Sequence, residues 1–256
     1  MKLRGKVAFI TGASSGMGEA IALRFAREGA AVAVAASSDL AKGRRVVDAI
    51  QREGGRAWAC VVDVRDRSAV EEALREASKA LGPIDILVNS AGVYYATPIG
   101  QTSEEAAERM IDVNLKGTFN VINAISPNMQ KARQGKIINI SSAAAQVGIK
   151  QRSLYCATKA AIAHLTRTLA RELAPFNVNC NAILPGNTAT PMNENVRTDP
   201  AYAPELAAIT ALTPSGRTFL PPDEVANLAV FLASDESRGM HGSLVTIDEG
   251  ISTGVG

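Results

Sequence analysis

Seven short apolar runs rich in β-branched residues alternate with longer amphipathic stretches, and this alternation restricts the fold more than any other feature. The runs lie at 7–10, 32–34, 58–62, 84–88, 137–140, 178–184 and 244–247. Their apolar character is nearly continuous, the pattern of strands buried on both faces of a parallel sheet. The stretches at 18–27, 40–52, 68–81, 103–129 and 154–173 carry helical spacing with a polar side. A β-α-β-α order with right-handed crossovers predicts an α/β fold whose parallel sheet of about seven strands is covered by helices on both faces. Punctuation agrees: Gly29, Gly54-Gly55, Gly82-Pro83 and Gly135 stand where helices end and strands begin. Thr102-Ser103-Glu104-Glu105 and Pro221-Pro222-Asp223-Glu224 read as helix starts, with acids complementing the dipole. The least periodic region, about 187–220, is rich in Pro, Thr, Asn and Asp and reads as a long binding loop.

Composition excludes several classes. The chain is 46% apolar but only 4% aromatic, so its core must be built of Ala, Val, Ile and Leu. With a net charge of +2 there is no general attraction to nucleic acid or to an anionic membrane. No apolar run is long enough to span a bilayer, and Gly5-Lys6 interrupts the basic start before any apolar stretch, so no signal peptide is expected. Cys60, Cys156 and Cys180 form no C-x-x-C pair, and His164 and His241 are the only histidines. A disulfide framework, a structural zinc site and a catalytic metal are not expected; a reducing, cytoplasmic setting is.

The first strand runs into Thr11-Gly12-Ala13-Ser14-Ser15-Gly16-Met17-Gly18 and then directly into a helix. Glycines at 12, 16 and 18 allow a tight turn, room for a pyrophosphate against the backbone, and close packing of helix on strand. No Gly-Lys-[Ser/Thr] follows, so a nucleotide-hydrolysing P-loop is rejected. At the end of the second strand, where an NAD site places a carboxylate for the ribose hydroxyls, the chain reads Ala35-Ala36-Ser37-Ser38, with no acid before Asp39. Small hydroxyl residues accommodate a 2′-phosphate, so Ser37 and Ser38 favour NADP(H) over NAD(H). Lys42, Arg44 and Arg45 follow, either adding positive charge there or forming a solvated face.

Tyr155 and Lys159 are four residues apart at the start of a predicted helix, which puts phenol and ammonium on one face. A neighbouring cation, helped by an oxidised nicotinamide, favours phenolate and makes tyrosine a usable acid/base. Ser142 ends the fifth strand, at the carboxyl edge where open α/β sheets bind ligands.

Together these motifs resemble the short-chain dehydrogenase/reductase family over nearly the whole chain. The resemblance implies a single doubly wound Rossmann-type domain at 1–256, with a substrate loop at about 187–220. It implies Asn114, Ser142, Tyr155 and Lys159 as catalytic residues, with Asn114 at a helix kink relaying protons through water. It further implies that the cofactor meets Gly12, Ser14, Ser15, Gly16, Met17, Gly18, Ser37, Ser38, Asp63, Val64, Asn89, Ala91, Gly92, Tyr155, Lys159, Pro185, Gly186, Thr188 and Thr190, with Asp63 contacting the adenine amine. Ser90 stands where the family usually has Asn, and Asp248-Glu249-Gly250 where it commonly has Asp-Gly-Gly. The implied activity is NADP(H)-dependent interconversion of a ketone, or 3-oxo compound, and a secondary alcohol. An NAD-dependent alcohol dehydrogenase, a dehydratase or epimerase on this fold, and a non-catalytic dinucleotide-binding regulator are the alternatives. The expected partner is a small carbonyl or alcohol, and the expected assembly a homotetramer or homodimer. Tyr94, Tyr95, Gln146, Arg152, Met192 and Tyr202 flank the inferred edge loops and are candidate substrate neighbours.

Overall fold

The computed structural model describes residues 1–253; the last three residues of the expected domain lie outside it. Seven parallel strands form one sheet: β1 (Val7–Thr11), β2 (Ala31–Ala36), β3 (Arg56–Val61), β4 (Ile86–Asn89), β5 (Gly135–Ile140), β6 (Val178–Pro185) and β7 (Leu244–Ile247). Their order across the sheet is β3-β2-β1-β4-β5-β6-β7. The strand order reverses between β1 and β4, which opens a crevice at the carboxyl ends of those two strands.

The side-chain period of two explains why the apolar runs are continuous. Ile10, Val32, Val34, Ile86, Val88, Ile138 and Ile183 point to one face, where α1 (Gly16–Arg27), α2 (Leu40–Arg52) and α9 (Pro222–Ala233) bring Ile21, Phe25, Val46, Ile50, Val225 and Val230. Phe9, Leu87, Ile137 and Cys180 point to the other, against α3 (Arg67–Leu81), α5 (Thr118–Ala132) and α6 (Ser153–Leu173). Each fully buried Phe, Leu or Ile contributes about 1.5–3 kcal/mol relative to exposure. The edge strands depart from the expectation of two-sided burial. β3 is only half-buried along its length, with Val61 45% exposed, and β7 is likewise half-buried.

Two stretches differ from their sequence expectation. The segment 103–129, expected as one helix, is α4 (Glu104–Met110), then a π-helical turn over Ile111–Gly117, then α5. The expected loop at 187–220 contains α7 (Glu194–Thr198), α8 (Ala203–Ala211) and 3₁₀ turns beginning at Pro191 and Pro200. Its two ends are joined. Leu220 donates its backbone N–H to the Asn187 carbonyl at 2.8 Å, and Ala189 donates to the Leu220 carbonyl at 2.9 Å.

Candidate active site

The turn after β1 is shaped by contacts that exclude a Cβ. A methyl group on Gly18 would stand 2.4 Å from the Gly12 carbonyl oxygen, and one on Gly12 (φ +65°) 2.9 Å from the Ala91 backbone. The Thr11 hydroxyl accepts from the N–H groups of Ser90 and Ala91, both at 3.1 Å, and so ties the turn to the loop after β4. Ser15, the residue before α1, makes no side-chain cap, so the first turn of that helix turns uncapped N–H groups and positive dipole to the crevice. Behind it, Arg45 forms a bidentate pair with Glu19 and donates to the Ser14 carbonyl, a brace the sequence did not reveal. Gly16 packs against Thr190, which brings the loop after β6 up to the same turn. Backbone open to an anion and flanked by glycines fits the pyrophosphate of a dinucleotide.

The other candidate cofactor positions divide. Ser37 and Ser38 are exposed at the edge of β2, while Asp39 caps α2 by accepting from Ala41 N–H at 2.8 Å. The Asp63 carboxylate is bound by Arg65, which also holds it below its ordinary pKa. Val64 is buried against Gly117, leaving only its backbone near the crevice. Asn89 is inside the sheet: its amide donates to Asn139 at 2.9 Å, and its buried Oδ1 has no partner among the described residues. Gly186 approaches Asp248 so closely that a Cβ would lie 2.7 Å from the Asp248 Cα, and Pro185 ends β6 beside it. Thr188 and Thr190 are buried at the base of the long loop, held through Asn193.

At the carboxyl ends of β4 and β5, four expected residues meet. Ser142 follows β5; its hydroxyl accepts from Ala144 N–H at 3.1 Å and stands close enough to the Tyr155 phenol to act on it. Lys159 is buried; its Nζ donates to the Ile140 carbonyl at 3.0 Å and lies 5.7 Å from the centre of the Tyr155 ring. The π turn carries Asn114, which clamps the loop after β4 in both directions. Its Oδ1 accepts from Val93 N–H at 2.8 Å, and its Nδ2 donates to the Val93 carbonyl at 3.0 Å. Gly92 sits between them: a Cβ there would be 3.3 Å from Asn114 Oδ1 and 3.8 Å from Lys159 Nζ. Two supports were not apparent from sequence. Ser141 donates to the Lys159 carbonyl at 2.8 Å, and Thr158 accepts from Asn114 Nδ2 at 3.3 Å.

Burial dominates the electrostatics of these two groups. Burial pushes Tyr155 up to about 12, only partly offset by the nearby Ser142 hydroxyl. Burial also pulls Lys159 down to about 8. Desolvation is the largest influence on both groups and favours the neutral form of each.

Of the candidate substrate neighbours, Tyr94 packs edge-on to Tyr155, with ring centres 4.8 Å apart, and Arg152 lies over Tyr94. Tyr95 is half-buried in the same loop, and Met192 and Tyr202 are exposed on the long loop. Gln146 is drawn elsewhere, accepting from Thr246 and Ser252 near the C-terminus.

The model of the short chain dehydrogenase family matches residues 6–201. This chain belongs to that family. It is 40% identical over 257 residues to a 3-oxoacyl-acyl-carrier-protein reductase of Thermotoga maritima, covering 98% of this chain and 99% of the relative. A dehydrogenase/reductase from Sinorhizobium meliloti 1021 superposes with a TM-score of 0.88 at 38% identity, over 98% of this chain and 96% of that one. A gluconate 5-dehydrogenase from Burkholderia cenocepacia J2315, solved with NADP and tartrate, superposes with a TM-score of 0.92 at 31% identity, over 99% and 98%. The short chain dehydrogenase is thus an oxidoreductase that uses a nicotinamide dinucleotide on small CH–OH or carbonyl substrates. No helix among the described residues is long and apolar enough to cross a membrane.

Proposed function

We propose that this short chain dehydrogenase interconverts a ketone, or 3-oxo compound, and a secondary alcohol with NADP(H), using Tyr155 as the acid/base. The observation that carries this reading is the placing of the Tyr155 phenol ring centre 5.7 Å from a buried ammonium, with the Ser142 hydroxyl beside it at the carboxyl edge of the sheet. When bound, the dinucleotide supplies the hydride in reduction and takes it in oxidation. Ser142 and Tyr155 converge on the carbonyl oxygen of the substrate and polarise it. Tyr155, kept as a phenol by burial, donates its proton to that oxygen as negative charge develops. Lys159 limits the cost of the resulting phenolate through its charge. In oxidation the same proton returns to Tyr155. Asn114 acts indirectly, holding the Val93 backbone and with it the Gly92 approach to Lys159.

NADP(H) is favoured because the end of β2 offers hydroxyls and no free carboxylate. Ser37 and Ser38 are exposed, Lys42 and Arg44 stand exposed on α2, and the one nearby acid, Asp39, caps that helix. The NADP-bound gluconate 5-dehydrogenase supports the same choice. Exposed Ile111 and Phe119 on the π turn and α5 suit the homotetramer or homodimer expected of the family, which light scattering tests.

The deciding experiment replaces Tyr155 with Phe. Turnover across a panel of ketones falls by about 10²–10⁴, while NADPH still binds in a fluorescence titration. Turnover at the wild-type rate would remove Tyr155 from the reaction.

A further inference from the structure

Arg152 stands one helical turn before Tyr155 and turns its guanidinium inward, with a side chain only 17% exposed. The guanidinium carbon lies 4.8 Å from the centre of the Tyr94 ring, and Nε donates to the Tyr94 hydroxyl. Tyr94 in turn meets Tyr155 edge-on. A single aromatic ring therefore separates a partly buried cation from the phenol. Nη1 donates to the Gln151 carbonyl at 3.2 Å. Nη2 faces Glu205 Oε1 at 3.8 Å, too long for a hydrogen bond.

Glu205 belongs to α8 in the long loop and is 43% exposed. A guanidinium withdrawn from water is stabilised by a close, hydrogen-bonded anion. Here it has a stretched one, lent by a loop and half in solvent.

We propose that Arg152 recognises a carboxylate on the substrate, and that Glu205 stands in its place until the substrate displaces it. This rests on the ketone and alcohol chemistry assigned to Ser142 and Tyr155, and narrows the substrate to small oxo acids and the matching hydroxy acids. A guanidinium nitrogen donates a strong charge-assisted bond to a carboxylate, and the group that Nη2 faces now is itself a carboxylate. Tyr94 holds one side of the guanidinium flat and takes its Nε, leaving Nη2 for the ligand. A neutral ketone leaves the Arg152–Glu205 pair in place and gains nothing from the cation. An oxo acid frees Glu205, and with it α8, so the long loop responds to substrate charge.

The test is NADPH-linked reduction of straight-chain 2-, 3-, 4- and 5-oxo acids, each paired with its methyl ester, by the wild type and by Arg152→Gln, Arg152→Lys and Glu205→Gln. The readout is the ratio of kcat/KM for acid over ester, which a general loss of folding or chemistry does not move. The wild type is expected to prefer at least one acid by about tenfold or more, and Arg152→Gln to reduce that ratio by about tenfold. Arg152→Lys should retain part of the preference, and Glu205→Gln should lower the KM of the acid relative to its ester. Ester turnover without acid preference, or a ratio that Arg152→Gln leaves unchanged, overturns the proposal while the ketone chemistry stands. Should no pair be turned over, the ketone reading itself fails. Calorimetric titration of the same acids into the protein with NADP⁺ then decides for Arg152. Acid binding weakened by Arg152→Gln upholds the subsite, and acid binding that is absent or unchanged overturns it.

Discussion

The Lys159 ammonium donates to the Ile140 carbonyl at 3.0 Å and stands 5.7 Å from the centre of the Tyr155 ring, so two groups that titrate at high pH share one dry volume. Their burial acts on stability in opposite directions. Lys159 falls from 10.5 to about 8, so between those values the unfolded chain binds a proton that the folded one has lost. The cost of burying its charge is fully present below about pH 8 and is relieved as pH rises to 10.5. Tyr155 rises from 10.0 to about 12, so its contribution is present below pH 10 and is lost as pH climbs through 12. Denaturant titrations across pH should show the wild type gaining stability over Lys159→Met from pH 8 to 10.5, and losing it relative to Tyr155→Phe above pH 10. Parallel curves in both windows would contradict this balance.

Asn114 is fully buried and satisfies both backbone groups of Val93. Replacing it with Leu leaves that donor and acceptor unpaired, at about 1–3 kcal/mol each. The urea midpoint of Asn114→Leu should fall by the equivalent of about 2–6 kcal/mol with an unchanged slope. Asn114→Asp, which keeps the acceptor, should fall between the two. A wild-type midpoint for Asn114→Leu would show that the clamp carries no stability.

A carboxylate at position 37 should reverse the cofactor choice. Ser37→Asp places a negative charge where the exposed end of β2 now has none. NADPH affinity should weaken by about tenfold or more, with NADH strengthened, measured as the ratio of the two dissociation constants. An unchanged ratio would place the determinant elsewhere on the crevice.

Glu249 occupies the left-handed region at φ +58°. It is held there by Arg217, which also grips Glu224 at 2.5 and 2.8 Å. Glu249→Gly and Glu249→Ala both lose the ion pair, but only alanine keeps a Cβ against the carbonyl. The glycine variant should be more stable than the alanine variant by about 1 kcal/mol, read as the difference between their thermal midpoints. Equal midpoints would mean that the backbone at this position is relaxed.

The sheet was legible because most of its strands are buried on two sides, which writes continuous apolar runs into the chain. Where a strand has a single neighbour, as in β3 and β7, the same run overstates its burial. The apolar spacing gave no sign of the π turn, because one widened turn at 111–117 hardly changes it within a helix of that length; only the family resemblance put a kink at Asn114. The short helices of the long loop bury little, and Pro191, Pro200 and Pro204 at their starts read as breakers. In the site, spacing put Tyr155 and Lys159 on one helix face and Ser142 at the carboxyl edge, because helix and strand geometry determine such neighbours, whereas Asn114 came only from the family resemblance. Side-chain partnerships were not legible. The pairings Asp63–Arg65, Arg45–Glu19 and Arg152–Glu205 depend on rotamers and on loop positions that no local pattern encodes.

The hydrogen bonds joining Asn187, Ala189 and Leu220 have a consequence for change over time. They close the loop on itself at its root, so whatever lies between is anchored through a fixed pair of backbone contacts beside β6. Its interior can lengthen, shorten or be rewritten at small entropic cost while the strands and glycine turn that receive the dinucleotide stay undisturbed. A graft of residues 191–218 from a relative is therefore expected to seat on the same two backbone contacts and leave the sheet and the glycine turn unchanged.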